Sequence, residues 1–356
     1  MSLHSPSAGP TPWGRVVAIA VVLATAVSVI VLAFLWPAIT SEVRGLPLAA
    51  AGPAPQLEQL LGGIDEHAPG VFEVTAVDDR DAAVEAIEQR EVYGAIVLGS
   101  QPEVLTSSAA SPVAAQALGT VGAQLQAQLQ QAAAAQAAQA GVEPPTITVA
   151  VTDVVPLAET DARGIGLGSS VLPLVIGGLL GGVLTALALR GAVRRVVALV
   201  VYSVVAGAAI TAILQGWFGI LQGSYLLNGS AVALALLAVG GTVLGLASVI
   251  GRPGLALGAV TFILFAVPLA SAATPVEFLP EPWGAVGQWF PPGAGATLLR
   301  DLSYFPGADA MFPWLVLAVW AAAGMLLALV GRALDRDPAD PAAASRESSP
   351  DAAAAA

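Results

Sequence analysis

Cysteine is absent from the 356 residues, and so is lysine: all 13 basic residues are arginine. Without a thiol the chain can form no disulfide, give no thiolate to a metal and supply no cysteine nucleophile. Without lysine it lacks the phosphate-binding residue of a P-loop, a Schiff-base amine and a serine–lysine dyad, so any ATP is bound by another polypeptide. Histidine occurs only at His4 and His67. Charge is also scarce, with 11% charged residues against 56% hydrophobic and a mean hydropathy of +0.79. That balance excludes an ordinary soluble protein and indicates a membrane protein.

Crossing about 30 Å of hydrocarbon takes roughly 20 apolar residues in a helix. Six stretches meet this: Val16 to Leu35, Ile165 to Leu189, Val196 to Leu214, Ala231 to Ile250, Leu255 to Ala273 and Pro313 to Val330. None contains Asp, Glu, Arg or His. An intramembrane enzyme or proton-coupled carrier needs such groups at depth, so neither is expected, and no residue is read as catalytic, cofactor-binding or metal-binding. His67 beside Asp65 and Glu66 is one histidine in a loop, a weak metal signal.

Arginine placement orients the spans. If six helices alternate, eight of the 13 arginines share one side with five acids, a net +3. The segment 37–164 carries four arginines and 16 acids, net −12, and 274–310 carries Arg300 and four acids, net −3. The positive side is cytoplasmic. The expected fold is therefore a polytopic α-helical membrane protein of six transmembrane helices, with an α+β extracytoplasmic domain inserted between the first and second. Residues 1–15 are read as cytoplasmic, 16–36 as the first helix, 37–164 as the outside domain and 165–273 as helices two to five. An outer hairpin at 274–310, the sixth helix at 311–332 and a disordered cytoplasmic tail at 333–356 complete the layout. A cleaved signal peptide is the rival for the first span; its apolar run is long for one, and Trp13 and Trp36 bracket it as interface anchors about 34 Å apart.

Within the outside domain, alternation through Val71 to Val77 predicts a strand running into an N-cap at Asp78-Asp79. A helix over Arg80 to Glu91 and a strand over Tyr93 to Leu98 complete a βαβ-like unit. Pro112 to Ala140 predicts a long helix stopped by Gly141, and Thr146 to Val155 a returning strand. That helix reads either as one packed on its own sheet or as a partner-binding stalk. The acids form a solvated face or attract a cationic partner.

The spans carry glycine at packing distance: Gly177 with Gly181, Gly178 with Gly182, Gly241 with Gly245, and Gly254 with Gly258. These serve packing inside one subunit, a dimer interface, or both. The outer hairpin combines Trp283, Val286, Trp289 and Phe290 on one face with Leu298, Leu299, Leu302 and Phe305 on another, broken at Pro291-Pro292-Gly293. It reads as a re-entrant hairpin or as a surface anchor.

The layout resembles the ABC-2 type membrane permeases, in particular the branch of the phage infection protein family. The matching stretches are Val77-Asp78-Asp79 through Ile96-Val97-Leu98, Asp153 to Gly168, and Phe278-Leu279-Pro280 through Ala294-Gly295-Ala296. The resemblance implies a bacterial plasma-membrane permease subunit, alone or paired as a dimer, exporting a hydrophobic or lipid-like compound with energy from a separate ATPase chain. It implies an outer gate at Trp283, Trp289, Phe290 and Arg300, and ATPase contact through Arg190, Arg194 and Arg195. The alternative is a non-transporting envelope scaffold or receptor whose outside domain binds a partner. The lipid bilayer is the one partner common to both, and nucleic acid is not expected.

Overall fold

A computed structural model of the chain describes residues 12–334. Of the cytoplasmic tail expected at 333–356, the first two residues belong to the last helix, and the rest, with most of the short N-terminal segment, lies outside the described residues.

Five helices are long and apolar enough to cross a membrane, as a helical membrane protein requires. They are α1 (Trp13–Thr40), α5 (Ile165–Ala188), α6 (Ala192–Thr211, prolonged by a π turn to Trp217), α7 (Tyr225–Ile250) and α11 (Met311–Leu334). Helix α7 is central, packing against α5, α6 and α11. Glycine brings these helices close: a Cβ on Gly182 of α5 would stand 2.5 Å from the Gly240 carbonyl of α7, and one on Gly245 of α7 would stand 2.5 Å from the Gly324 carbonyl of α11. Gly178 lies against Val239 and Gly181 against the Tyr202 ring. Helix α1 is exposed along nearly its whole length and touches the rest of the chain around 261–266 and at Trp283.

The fifth expected span is shorter than its apolar sequence. Leu255 to Ala273 divides into α8 (Arg252–Val260), a π turn from Thr261 to Ala266, and turns and bends through Ala273. The helical part is 9 plus 6 residues, about 22 Å at 1.5 Å per residue and less than a bilayer core. Pro268 withholds the N–H that would continue the ladder. The apolar residues beyond it serve burial instead: Leu269 and Ala270 are buried, the latter against Val171 and Ala296.

Between α1 and α5 lies a five-stranded sheet in the order β2-β1-β3-β4-β5, from β1 (Leu46–Ala51), β2 (Phe72–Ala76), β3 (Gly94–Val97), β4 (Glu103–Thr106) and β5 (Ala150–Asp153). Only the β3–β4 pair is antiparallel. Side chains alternate across the sheet with period two. Leu48, Ile96 and Val104 pack beneath α4 (Pro112–Ala140) and α2 (Ala54–His67), while Ala49, Ala95 and Leu105 pack against Ala83 and Ile87 of α3 (Arg80–Glu88). Asp79 caps α3 by accepting from the Ala82 N–H at 2.9 Å, and Gly141 ends α4 at φ +68°. The expected βαβ unit is thus corrected in one respect, because β1 lies between its two strands. Strand β5 covers only part of Thr146 to Val155.

Candidate functional site

The site is the joint between the sheet domain and the chain that follows α8. After Ala273 come a 3-10 turn (Val276–Phe278), the short α9 (Trp283–Gly287) and α10 (Pro291–Tyr304). Prolines 291 and 292 occupy the first helical positions, where a missing N–H costs nothing. Gly284 and Gly287 fit where a Cβ would overlap the carbonyls of Val276 and Leu269. Helix α10 is buried along most of its length, with Leu298 and Leu299 packed beside α7 and α11 residues Leu236 and Leu317. A helix lying on a surface leaves one face open, whereas α10 is enclosed by the chain along most of its length.

Irregular backbone at such a place needs its polar groups satisfied. The carbonyls left open beyond α8 supply part of the answer. Arg300 donates to the Ala272 carbonyl at 2.8 Å and Gln288 to the Ala270 carbonyl at 3.3 Å, while Thr297 donates to Gln288 at 2.8 Å. Tyr304 donates to the Ile220 carbonyl at 2.7 Å, tying α10 to the α6–α7 connection. Thr160, just before α5, donates to the Gly219 carbonyl at 2.8 Å. One end of the bundle therefore gathers the sheet domain, the α6–α7 connection and the hairpin.

From the sheet side, Arg90 and Tyr93 reach across. Arg90 follows α3 at φ +60°, a left-handed conformation that costs a non-glycine residue energy and turns the chain toward β3. Its guanidinium pairs with Asp301 and lies 5.5 Å from the Phe305 ring centroid. Tyr93 donates to Glu277 at 3.0 Å. Burial, reinforced by Glu277, holds the Tyr93 phenol well above its usual range. Burial also raises the Asp301 carboxyl, outweighing the opposing pull of Arg90. Arg300, only 7% exposed, is pulled down to about 10, first by burial and then by the charge on Arg90. Among the described residues Arg300 belongs to no ion pair, and its Nε has no hydrogen-bond partner. A cavity of about 480 Å³ opens in this joint, lined by Arg90, Tyr93, Glu277, Thr297, Asp301 and Phe312 among others.

The four residues assigned to an outer gate do not form one cluster of contacts. Trp283 meets Trp36 of α1 edge-on at 6.2 Å, Trp289 meets Phe312 at 5.0 Å, and Phe290 lies beside Trp320 at 5.7 Å. Trp283 and Trp289 are exposed, whereas Arg300 is turned into the interior. Arg190 and Arg194 lie exposed at the α5–α6 connection, and Arg195 donates to the Leu189 carbonyl at 2.8 Å. The glycine pairs face partners within the chain, Gly177 meeting Leu236, Gly241 meeting Ala321, Gly254 meeting Leu246 and Gly258 meeting Val243. Sequence reasoning missed Arg90, Tyr93, Glu277 and Asp301, whose pairings span 211 and 184 residues. The one local signal is the adjacent Arg300-Asp301 in an otherwise apolar helix.

No family model, curated protein or solved structure matches the chain.

Proposed function

We propose that the chain is an ABC-2-like membrane permease subunit that exports a hydrophobic or lipid-like compound, with a separate ATPase chain supplying energy. The observation that carries this reading is the α9–α10 hairpin, a broken-helix element sunk into the bundle and bonded from outside by Arg90 and Tyr93. Broken helices at membrane depth belong where a protein lines a path or a site. In this reading α8 and its irregular continuation make the fifth of six crossings, both termini are cytoplasmic, and 37–164 and 274–310 are outside in a bacterial plasma membrane. Two features support that layout: hairpin and sheet domain meet at one end of the bundle, and Arg190, Arg194, Arg195 and Arg252 lie at the other. Trp283 and Trp289 flank the outer gate, and Arg190, Arg194 and Arg195 face the ATPase. Arg300 acts by holding the hairpin to the Ala272 carbonyl.

One observation favours the second reading, an envelope scaffold or receptor: the space between α5, α7 and α10 is only about 20 Å³, too small for a compound to pass there. The permease reading accordingly places the path between two copies. Purification from native membranes in mild detergent separates the two. A stoichiometric ATP-hydrolysing subunit that is lost on Arg194→Glu with Arg195→Glu supports the permease. Envelope proteins alone, without ATPase activity, select the scaffold.

A further inference from the structure

The cavity at the joint has walls of two kinds. Pro47, Val92, Ala110, Val276, Phe312 and Pro313 give it an apolar part, and the polar part carries charges that do not balance. Four carboxylates line it, Glu91, Glu277, Asp301 and Asp309, against the single guanidinium of Arg90. Arg90 is taken by Asp301, which leaves Glu91, Glu277 and Asp309. Glu277 is half-buried, receives a hydrogen bond from the neutral Tyr93 phenol, and joins no ion pair among the described residues. Arg300 lies behind this wall and does not line the cavity, so it lowers the excess of negative charge from three to two without occupying the space. A carboxylate with no cation, beside aromatic rings and an apolar wall, favours a positively charged guest with an apolar body. The volume, about 480 Å³, falls in the range that holds a small organic molecule.

We propose that this cavity binds an organic ammonium group carried on an apolar body, with Glu277 as its counter-charge and Phe312 and Tyr93 as its aromatic walls. The site stands on its own geometry and serves an exporter or a receptor equally, so its failure leaves the permease reading untouched. Such an ammonium belongs either to a free amphiphilic cation or to the headgroup of a membrane lipid, because the cavity borders the start of α11.

The test uses the full chain in maltoside micelles with phosphatidylglycerol as sole lipid, titrated calorimetrically with benzyltrimethylammonium. Benzyl alcohol and benzenesulfonate are the neutral and anionic controls. Saturable binding at least tenfold tighter than benzyl alcohol is expected, with no binding of the sulfonate. Glu277→Gln should weaken it about tenfold, or about 1.4 kcal/mol. Glu91→Arg, at an exposed position, should weaken it about threefold at low salt and less at high salt. Competition by added phosphatidylethanolamine assigns the site to a lipid headgroup, and lack of competition assigns it to a free cation. Absence of saturable binding, parity with benzyl alcohol, or unchanged affinity in the folded variants overturns the inference; if Glu277→Gln does not fold, Glu91→Arg decides.

Discussion

The helix bundle and the joint above it are held together by opposite means. In the bundle, α7 touches α5 and α11 through glycines with no room for a Cβ, and few polar groups intervene. At the joint, two polar pairs, Arg90 with Asp301 and Tyr93 with Glu277, join segments 211 and 184 residues apart beside a cavity, and Arg300 bonds to the Ala272 carbonyl. Apolar close packing is strong in sum and intolerant of added volume. A few polar bonds are directional and replaceable, so they specify position more than strength. By this contrast the bundle is the frame, and the joint is a seam held by a few replaceable bonds.

Overfilling the frame should cost most. Gly182→Leu forces atoms into the space of the Gly240 carbonyl and should remove about 3 kcal/mol or more, read as loss of monodisperse protein or a large fall in apparent Tm. A near-wild-type melt would show the contact to be loose and the contrast unfounded. Breaking the joint should cost less. Asp301→Asn leaves Arg90 without its carboxylate and should remove about 2 kcal/mol, while replacing both with Leu and Met recovers most of it. Failure of the double change to recover would mean that the pair supplies strength as well as position.

Tyr93→Phe removes one hydrogen bond to Glu277 and should cost about 1 kcal/mol, seen as faster proteolysis near the joint with the bundle melt unchanged. The smallest effect belongs to Arg80 and Glu103, which tie α3 to β4 on an open surface at 2.7 Å. The hydrogen bond from Arg80 holds the Glu103 carboxyl below its ordinary 4.5. A lowered carboxyl contributes stability that is present above pH 4.5 and lost as the pH falls through the folded value. Arg80→Ala should therefore lower stability slightly at pH 7 and make no difference in strong acid. An equal loss at both pH values would rule out the charge as the cause.

Much of the frame is legible in the amino-acid sequence. Long apolar runs mark five helices within a few residues, and Pro112 to Ala140, ended by Gly141, matches α4 at both ends because caps are local chemistry. The runs fail at Leu255 to Ala273, where hydropathy reports burial but not conformation, and Pro268 breaks the helix while Leu269 and Ala270 stay inside. Strand β1 leaves no periodic signal: Leu-Pro-Leu-Ala-Ala-Ala is buried on both faces and so shows no alternation. The hairpin break at Pro291-Pro292 is legible, yet Trp283, Trp289 and Phe290 pack on α1 and α11 residues, whereas Phe305 meets the sheet domain. The joint is hidden because Arg90 and Asp301 stand 211 residues apart, so no local pattern pairs them.

Labelling of single cysteines tests the central claim, that the shortened α8 and its irregular continuation carry the chain back to the side of the sheet domain. The absence of native cysteine makes every label unambiguous. Cysteine is placed in turn at the exposed positions Gly141, Arg190 and Pro306, and intact cells are treated with an impermeant maleimide. Labelling at Gly141 and Pro306, with Arg190 reacting only after permeabilisation, is the predicted result. Labelling at Gly141 with Pro306 protected until permeabilisation would contradict it.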